Sequence, residues 1–234
     1  MGKFDWFWKA MGSTSERNNK KSKAVVANAH GLIEELSLLD DASLASAVAS
    51  TVRDGAIADK PRFLAGLSVA SQRTLGMTPF EVQNQAVLRL LEGDVIQMAT
   101  GEGKTLVGAM AATGFALQGK RVHLITVNNY LAARDAEWMR PLVEFFGLTV
   151  AAVTESSTRE ERVTAYRSDV IYAPVTEIGF DHLRDNQITS REQTVQLPAN
   201  VALVDEADSV LVDEALVPLV LAGSEGSKLS LIHI

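Results

Sequence analysis

The 234-residue sequence predicts an α/β protein: a mostly parallel sheet flanked by helices and preceded by a helical N-terminal segment. Three observations predict it. Residues 24–75 carry apolar side chains at helical spacing, punctuated by Gly55 and Pro61. From Thr78 onward, short apolar runs alternate with amphipathic stretches, the pattern of strands joined by crossover helices. Between one such run and the next helix lies the glycine-rich turn "QMATGEGKTLVG", residues 97–108.

In chain order, residues 1–12 ("MGKFDWFWKAMG") read as a short amphipathic helix with Phe4, Trp6, Phe7, Trp8 and Met11, followed by the polar break "STSERNNKKSK". Lys3, Lys9, Arg17, Lys20, Lys21 and Lys23 outnumber Asp5 and Glu16 there. Aromatic residues beside lysines suit an anionic membrane surface; a terminal helix docked on the body with a solvated basic face reads equally well. "AVVANAHGLIEELSLL" and "DDASLASAVASTV" are helical, with Asp40 or Asp41 as N-cap, and "RFLAGLSVASQRTL" is helical up to Gly76. "TPFE" has the form of a capping box, with Thr78 at N-cap, Pro79 at the first helical position and Glu81 at N3. The helix it opens stops near Gly93.

Strands are expected at "DVIQMA", "RVHLITV", "LTVAAVT", "DVIYAPV" and "NVALVDE". Helices are expected from the turn to Gly119, over "NYLAARDAEWMRPLVEFFG" with Pro141 dividing or kinking it, over "TREERVTAY", and over "TEIGFDHLRDN".

A strand, a turn rich in glycine and a helix opening on Lys-Thr make phosphate-binding architecture. Gly101 and Gly103 let backbone N–H groups converge on phosphate oxygens, and the helix start adds its positive dipole end. In this reading Thr100, Gly101, Gly103, Lys104 and Thr105 bind ATP; Lys104 reaches the β- and γ-phosphates and Thr105 places its hydroxyl on Mg2+. Met98 replaces the first glycine of the usual spacing. The core pattern T-G-x-G-K-T arises by chance in a chain of this length at ~10⁻⁴, so an ordinary turn is a poor account of it. Glu102 is expected to point away from the phosphates, toward basic residues or the opposite face of the cleft, because like charges would repel.

The acid that nucleotide hydrolysis requires is supplied by "VALVDEADSVLVDE". The apolar run Val201 to Val204 ends on Asp205-Glu206, at the strand tip where ligands sit in open parallel sheets. Asp205 is assigned to Mg2+, and Glu206 to orienting or deprotonating the attacking water. Asp213-Glu214 reads as a solvated or salt-bridged helix end. Gln83, one helix upstream, can both donate to and accept from an adenine edge, with Phe80 nearby. Arg134 either reaches phosphates or pairs with Asp135. Together these features make the sheet RecA-like, the P-loop NTPase fold.

Composition narrows the partners. A net charge of -7 excludes a wholly basic nucleic-acid binder. With no cysteine there is no disulfide frame or thiolate metal site, and the four histidines lack ligand spacing. No run reaches the ~18 apolar residues of a membrane span, and the start lacks a signal-peptide pattern; a cytosolic protein is expected.

The segments "GMTPFEVQ", "MATGEGKTL", "VHLITVNNYLAARDAEW", "RPLVEFFGLTV", "EIGFDHLRDN" and "VALVDEADSVLVDEALVPLVLAG" together resemble SecA, the ATPase motor of bacterial preprotein translocation. The ending "VDEALVPLVLAG" is similar to the accessory, second SecA of some Gram-positive bacteria. The resemblance implies a two-lobed motor with ATP between two nucleotide-binding domains. It also implies preproteins driven through the SecYEG channel, and a location in the cytoplasm and peripherally on the inner face of the cell membrane. A homodimer is left open, and no specific nucleic acid is implied. By motif match Lys104 and Thr105 form the phosphate-loop pair, Asp205 is the magnesium acid and Glu206 the catalytic carboxylate, with Lys104 counted beside it. Gln83 reads adenine, and Arg134 faces the nucleotide. Where the family usually has Asp, Asn129 follows Asn128.

The resemblance divides the chain into a helical N-terminal segment at 1–76, a nucleotide-binding core at 77–223, and residues 224–234 as the start of the preprotein-binding insertion or a non-native tail. "KLSLIHI" does not resemble SecA, and "LSLIHI" is what a common sequencing adapter would encode, so residues from about Lys228 are expected to be foreign. Half a cleft cannot enclose ATP, so weak nucleotide binding and negligible turnover are expected of this chain alone. The competing readings are a lobe of a DEAD-type RNA helicase, which shares the core, and a non-catalytic nucleotide-binding module.

Overall fold

The computed structural model describes residues 14–190, 193–213, 216–220, 222–223 and 230–231. The expected helix over 1–12 and most of the expected tail lie outside them. The chain divides into two compact units, Met1–Gln118 and Gly119–Ile234.

The first unit is helical. Helices α1 (Thr14–His30), α2 (Ile33–Ser37) and α3 (Asp41–Ala49) lead to α4 (Lys60–Leu75), α5 (Glu81–Leu91) and α6 (Lys104–Leu117). Helix α4 is the core element: Phe63, Leu64, Leu67 and Ala70 are fully buried, and α1, α2 and α3 pack on it. Asp40 caps α3 by accepting from the Ser43 N–H at 2.9 Å, as its position predicted. Gly76 closes α4 at a φ of 69°, a conformation that costs glycine nothing.

Four features differ from expectation. The polar stretch after residue 13 is helical from Thr14, because its lysines and Glu16 are good helix formers that need no apolar face at a solvated end. Residues 52–57 form a small hairpin, β1 (Val52–Arg53) with β2 (Ala56–Ile57), turned by Asp54-Gly55 at φ 51° and 72°. That dipeptide is the local signal for such a turn. Helix α5 starts at Glu81 with Phe80 at the N-cap, because the side chain of Gln83, at N3, reaches back to accept from the Phe80 N–H; the Thr78 hydroxyl donates to Gln72 instead. Finally, "DVIQMA" forms no strand among the described residues. Half-buried Asp94, Ile96 and Met98 still alternate with exposed Val95, Gln97 and Ala99, so the period of two survives without a hydrogen-bonded ladder.

The second unit carries the sheet. Strands β3 (Val122–Thr126), β4 (Val150–Ala152), β5 (Val170–Pro174) and β6 (Val201–Val204) run parallel in the order β4-β5-β3-β6. Helix α7 (Asn129–Glu144) packs on β3, β4 and β5; α8 (Arg159–Ala165) packs on β4 and α9 (Val175–Gln187) on β5. Every residue of β5 is buried, as a central parallel strand requires. Ile171 and Ala173 on one of its faces join Val153, Ala165 and Tyr166 in a closed core. Helix α7 runs through Pro141 undivided: the proline removes only its own i→i−4 bond, and the helix continues to Glu144. A two-residue antiparallel ladder pairs β7 (Ala222–Gly223) with β8 (Ser230–Leu231).

Candidate functional site

In the first unit, Gly101 and Gly103 take φ values of 86° and 77°, and Lys104 is the first residue of the 14-residue helix α6. No acid lies in that first turn, so none of the helix's own first-turn side chains offsets its positive end. Lys104 and Thr105 are half-buried, Thr100 and Gly101 exposed, and Lys104 has no ion-pair partner among the described residues. A positive helix end, loop N–H groups and a free ammonium suit an anion with several oxygens.

Gln83 lies 6% exposed between α5 and this loop. Its Oε1 accepts from the Phe80 N–H at 2.9 Å, and its Nε2 donates to the Glu102 carbonyl at 2.8 Å. Gly103 is required here twice over: its φ is left-handed, and a Cβ would come within 2.3 Å of Gln83 Nε2. Phe80 is 73% exposed, its ring free to meet a flat ligand. Glu102 departs from expectation. Its Oε2 accepts from the Ala99 N–H at 2.9 Å, turning back on its own loop with no basic partner among the described residues, because a backbone donor three residues away costs less ordering than a distant side chain.

In the second unit, β6 delivers Asp205 at its C-terminal tip. The Asp205 N–H donates to Ile125 O at 2.9 Å, continuing the β3–β6 ladder, and Asp205 Oδ1 accepts from the Glu206 N–H at 2.9 Å. Asp205 has no cationic partner among the described residues, and Glu206 is exposed. Glu206 has a φ of 52°, rare for a side-chain-bearing residue, and a π-helix (Ser209–Asp213) follows directly; both deviations concentrate at functional positions. No cluster of three metal-ligating side chains occurs among the described residues. A lone carboxylate suits Mg2+, which keeps most of its waters and borrows phosphate oxygens, so Asp205 fits that ion.

Arg134 pairs with Asp135, its Nε at 2.7 Å and Nη2 at 2.6 Å from Oδ1, and lies over the Tyr130 ring at 5.7 Å. Burial pushes the Asp135 carboxyl up; Arg134 opposes this, and the charge of Asp205 adds to it. Asp135, which the sequence offered only as an alternative partner for Arg134, is thus a carboxylate near the acid tip, 7% exposed on the apolar face of α7.

Sequence reading missed a buried charged hub. Arg162 Nη1 donates to Asp181 at 2.8 Å and Nη2 to Glu177 at 2.7 Å; Tyr166 Oη donates to Asp181 at 2.9 Å, and Arg184 reaches the other Asp181 oxygen at 2.9 Å. In "TREERVTAY" the arginine reads as one more solvated charge, and only the partners in "EIGFDHLRDN" reveal it as core. Beside it, His123 is 6% exposed with Nε2 unpartnered, and burial with the nearby Arg121 charge pushes it down to about 4.

Residues 7–233 match the family described as the SecA DEAD-like domain. The chain is 63% identical over 225 residues, 96% of its length, to protein translocase subunit SecA 2 of Corynebacterium efficiens. It is 60% identical over 225 residues to the subunit of the same name in Corynebacterium diphtheriae. The SecA 2 subunit of Mycolicibacterium smegmatis is 53% identical over 220 residues, 93% of this chain and 28% of that relative. The chain spans about 30% of the length of the first two relatives.

Proposed function

The chain belongs to the SecA family, matching its DEAD-like domain, and from that premise we propose that it is the ATP-binding lobe of a preprotein-translocating motor. ATP is its substrate. Lys104 and the Thr100–Lys104 backbone hold the phosphates, Thr105 and Asp205 hold Mg2+, and Glu206 orients the attacking water and takes its proton. Bound Mg2+ supplies neutralisation of phosphate charge. Gln83 and Phe80 take the adenine, and Gln83 exchanges its present bonds for that role; Arg134 turns from Asp135 toward the phosphates. The helical segment 1–76 precedes the core at 77–223, and the residues from 224 begin the preprotein-binding insertion or a foreign tail.

In the whole motor, ATP binding and hydrolysis drive preproteins through SecYEG, with the protein cytoplasmic and peripheral on the anionic inner face of the membrane; a homodimer is compatible with this. No helix among the described residues is long and apolar enough to cross a membrane. Similarity to SecA 2 subunits supports the accessory type.

The observation that carries the reading is Lys104, without an ion-pair partner among the described residues, at a helix start after Gly101 and Gly103, both of positive φ. Calorimetric titration of this chain with ATP and Mg2+ tests it. Weak binding is expected, with turnover near background. Lys104→Ala is expected to lower affinity about 10- to 100-fold, the loss of one charge-assisted contact. Equal binding by both proteins would refute the assignment.

A further inference from the structure

The motif "FDHLRDN" takes no part in the chemistry proposed above, and the structure gives its Asp185 a different task. Strand β6 must present Asp205 at a fixed height, yet its own means of fixing register are weak. It has four residues and pairs only with β3 among the described residues. Its side chains are half-buried at Val201, Leu203 and Val204 and exposed at Ala202, so burial barely distinguishes its two faces. Such a strand resists slippage poorly. A slip of one residue would displace Asp205 by about 3.3 Å and turn its carboxylate to the opposite face.

The segment entering β6 is braced from outside the ladder. Asp185, in the last turns of α9, accepts from two successive backbone donors, Val195 N–H through Oδ1 and Gln196 N–H through Oδ2, both at 2.8 Å. The Gln196 side chain then donates to Ile178 O at 2.8 Å and Tyr166 Oη at 3.2 Å. Arg121, immediately before β3, donates through Nη1 to Pro198 O at 3.0 Å and through its backbone N–H to Asn200 Oδ1 at 2.9 Å. The N–H groups of Asn200 and Val201 both donate to Arg121 O. Residues 195–201 are therefore held at both ends, and a carboxylate gripping two consecutive N–H groups permits only one placement along the chain.

We propose that Asp185 is a positioning residue: through the brace over residues 195–200 it sets the register of β6 and so the place of Asp205 at the Mg2+ nucleotide. The inference rests on the assignment of Asp205 to Mg2+.

The test compares ATP affinity with Mg2+ and with EDTA for this chain, together with regional hydrogen exchange. Asp205→Asn is expected to abolish the Mg2+ enhancement; if it does not, or if the parent chain shows none, the assignment of Asp205 fails. Asp185→Asn sets an NH2 group against a backbone donor. It is expected to reduce the Mg2+ enhancement at least fivefold while Mg2+-free affinity stays within twofold, with faster exchange over 195–206 and unchanged exchange over 170–174. Asn200→Ala loosens the same brace at its other end without touching the carboxylate, and the same signature is expected, which keeps the test intact if Asp185→Asn does not fold. An undiminished Mg2+ enhancement in Asp185→Asn beside an effective Asp205→Asn would overturn the proposal, as would an equal loss of affinity with and without Mg2+ in both brace variants.

Discussion

The phosphate loop and the acid tip are held in opposite ways. The loop from Ala99 to Lys104 is shaped by two bonds that end on backbone groups: Glu102 to Ala99, three residues back, and Gln83 to Glu102 O, 19 residues away. The tip at Asp205 is held through side chains and segments far along the chain, with Arg121 reaching Asn200 across 79 residues. In the same unit, the α8–α9 layer rests on buried charges: Arg162, Glu177 and Asp181. The loop has its geometry set by backbone conformation. The strand tip depends on its surroundings, and charge is the means used around it.

Removing the charged support is expected to have the largest effect. Arg162→Ala leaves Glu177 and Asp181 buried without their main partner, which typically costs about 3–5 kcal/mol. Urea unfolding followed by hydrogen exchange should place that loss in residues 119–213 and spare α4 and α5; equal loss in both units would erase the contrast between them.

Acid comes next. His123 is driven down from 6.5 to about 4, so between those values the unfolded chain binds a proton that the folded chain refuses. Its contribution to stability is present above pH 6.5 and is lost as pH falls toward 4, by about 3 kcal/mol in total. His123→Leu should flatten this part of the pH–stability curve of the second unit, and an unaltered slope would exclude His123 as its source.

The smallest effect is expected at the loop. Gly103→Ala places a Cβ at a left-handed φ and against Gln83, at a cost of about 1–2 kcal/mol. Faster exchange confined to residues 99–105 would sharpen the comparison by showing that the loop's support is local.

The same contrast explains what could be read in advance. Strands β3, β4, β5 and β6 and helices α7, α8 and α9 were legible because their periodicity is local, as were Asp40, Gly76 and the left-handed Gly101 and Gly103. The placement of Lys104 at a helix start and of Asp205 at a strand tip was legible for the same reason, beside a recognisable turn and a recognisable strand. Arg162 was not, because nothing in "TREERVTAY" says that its carboxylate partners lie 15 and 19 residues on. A ladder for residues 94–99 was expected from local pattern, and pattern cannot supply a neighbouring strand.

Glu206 carries two properties that ordinary mutagenesis would confound: an acidic group and a left-handed backbone. Replacement by glutamine deletes the charge and keeps the awkward posture; replacement by glycine deletes the charge and makes the posture effortless. If the turn is under tension, the two variants, equally unable to accept a proton, should part company in how firmly residues 205–210 stay folded, with glycine the steadier of the two.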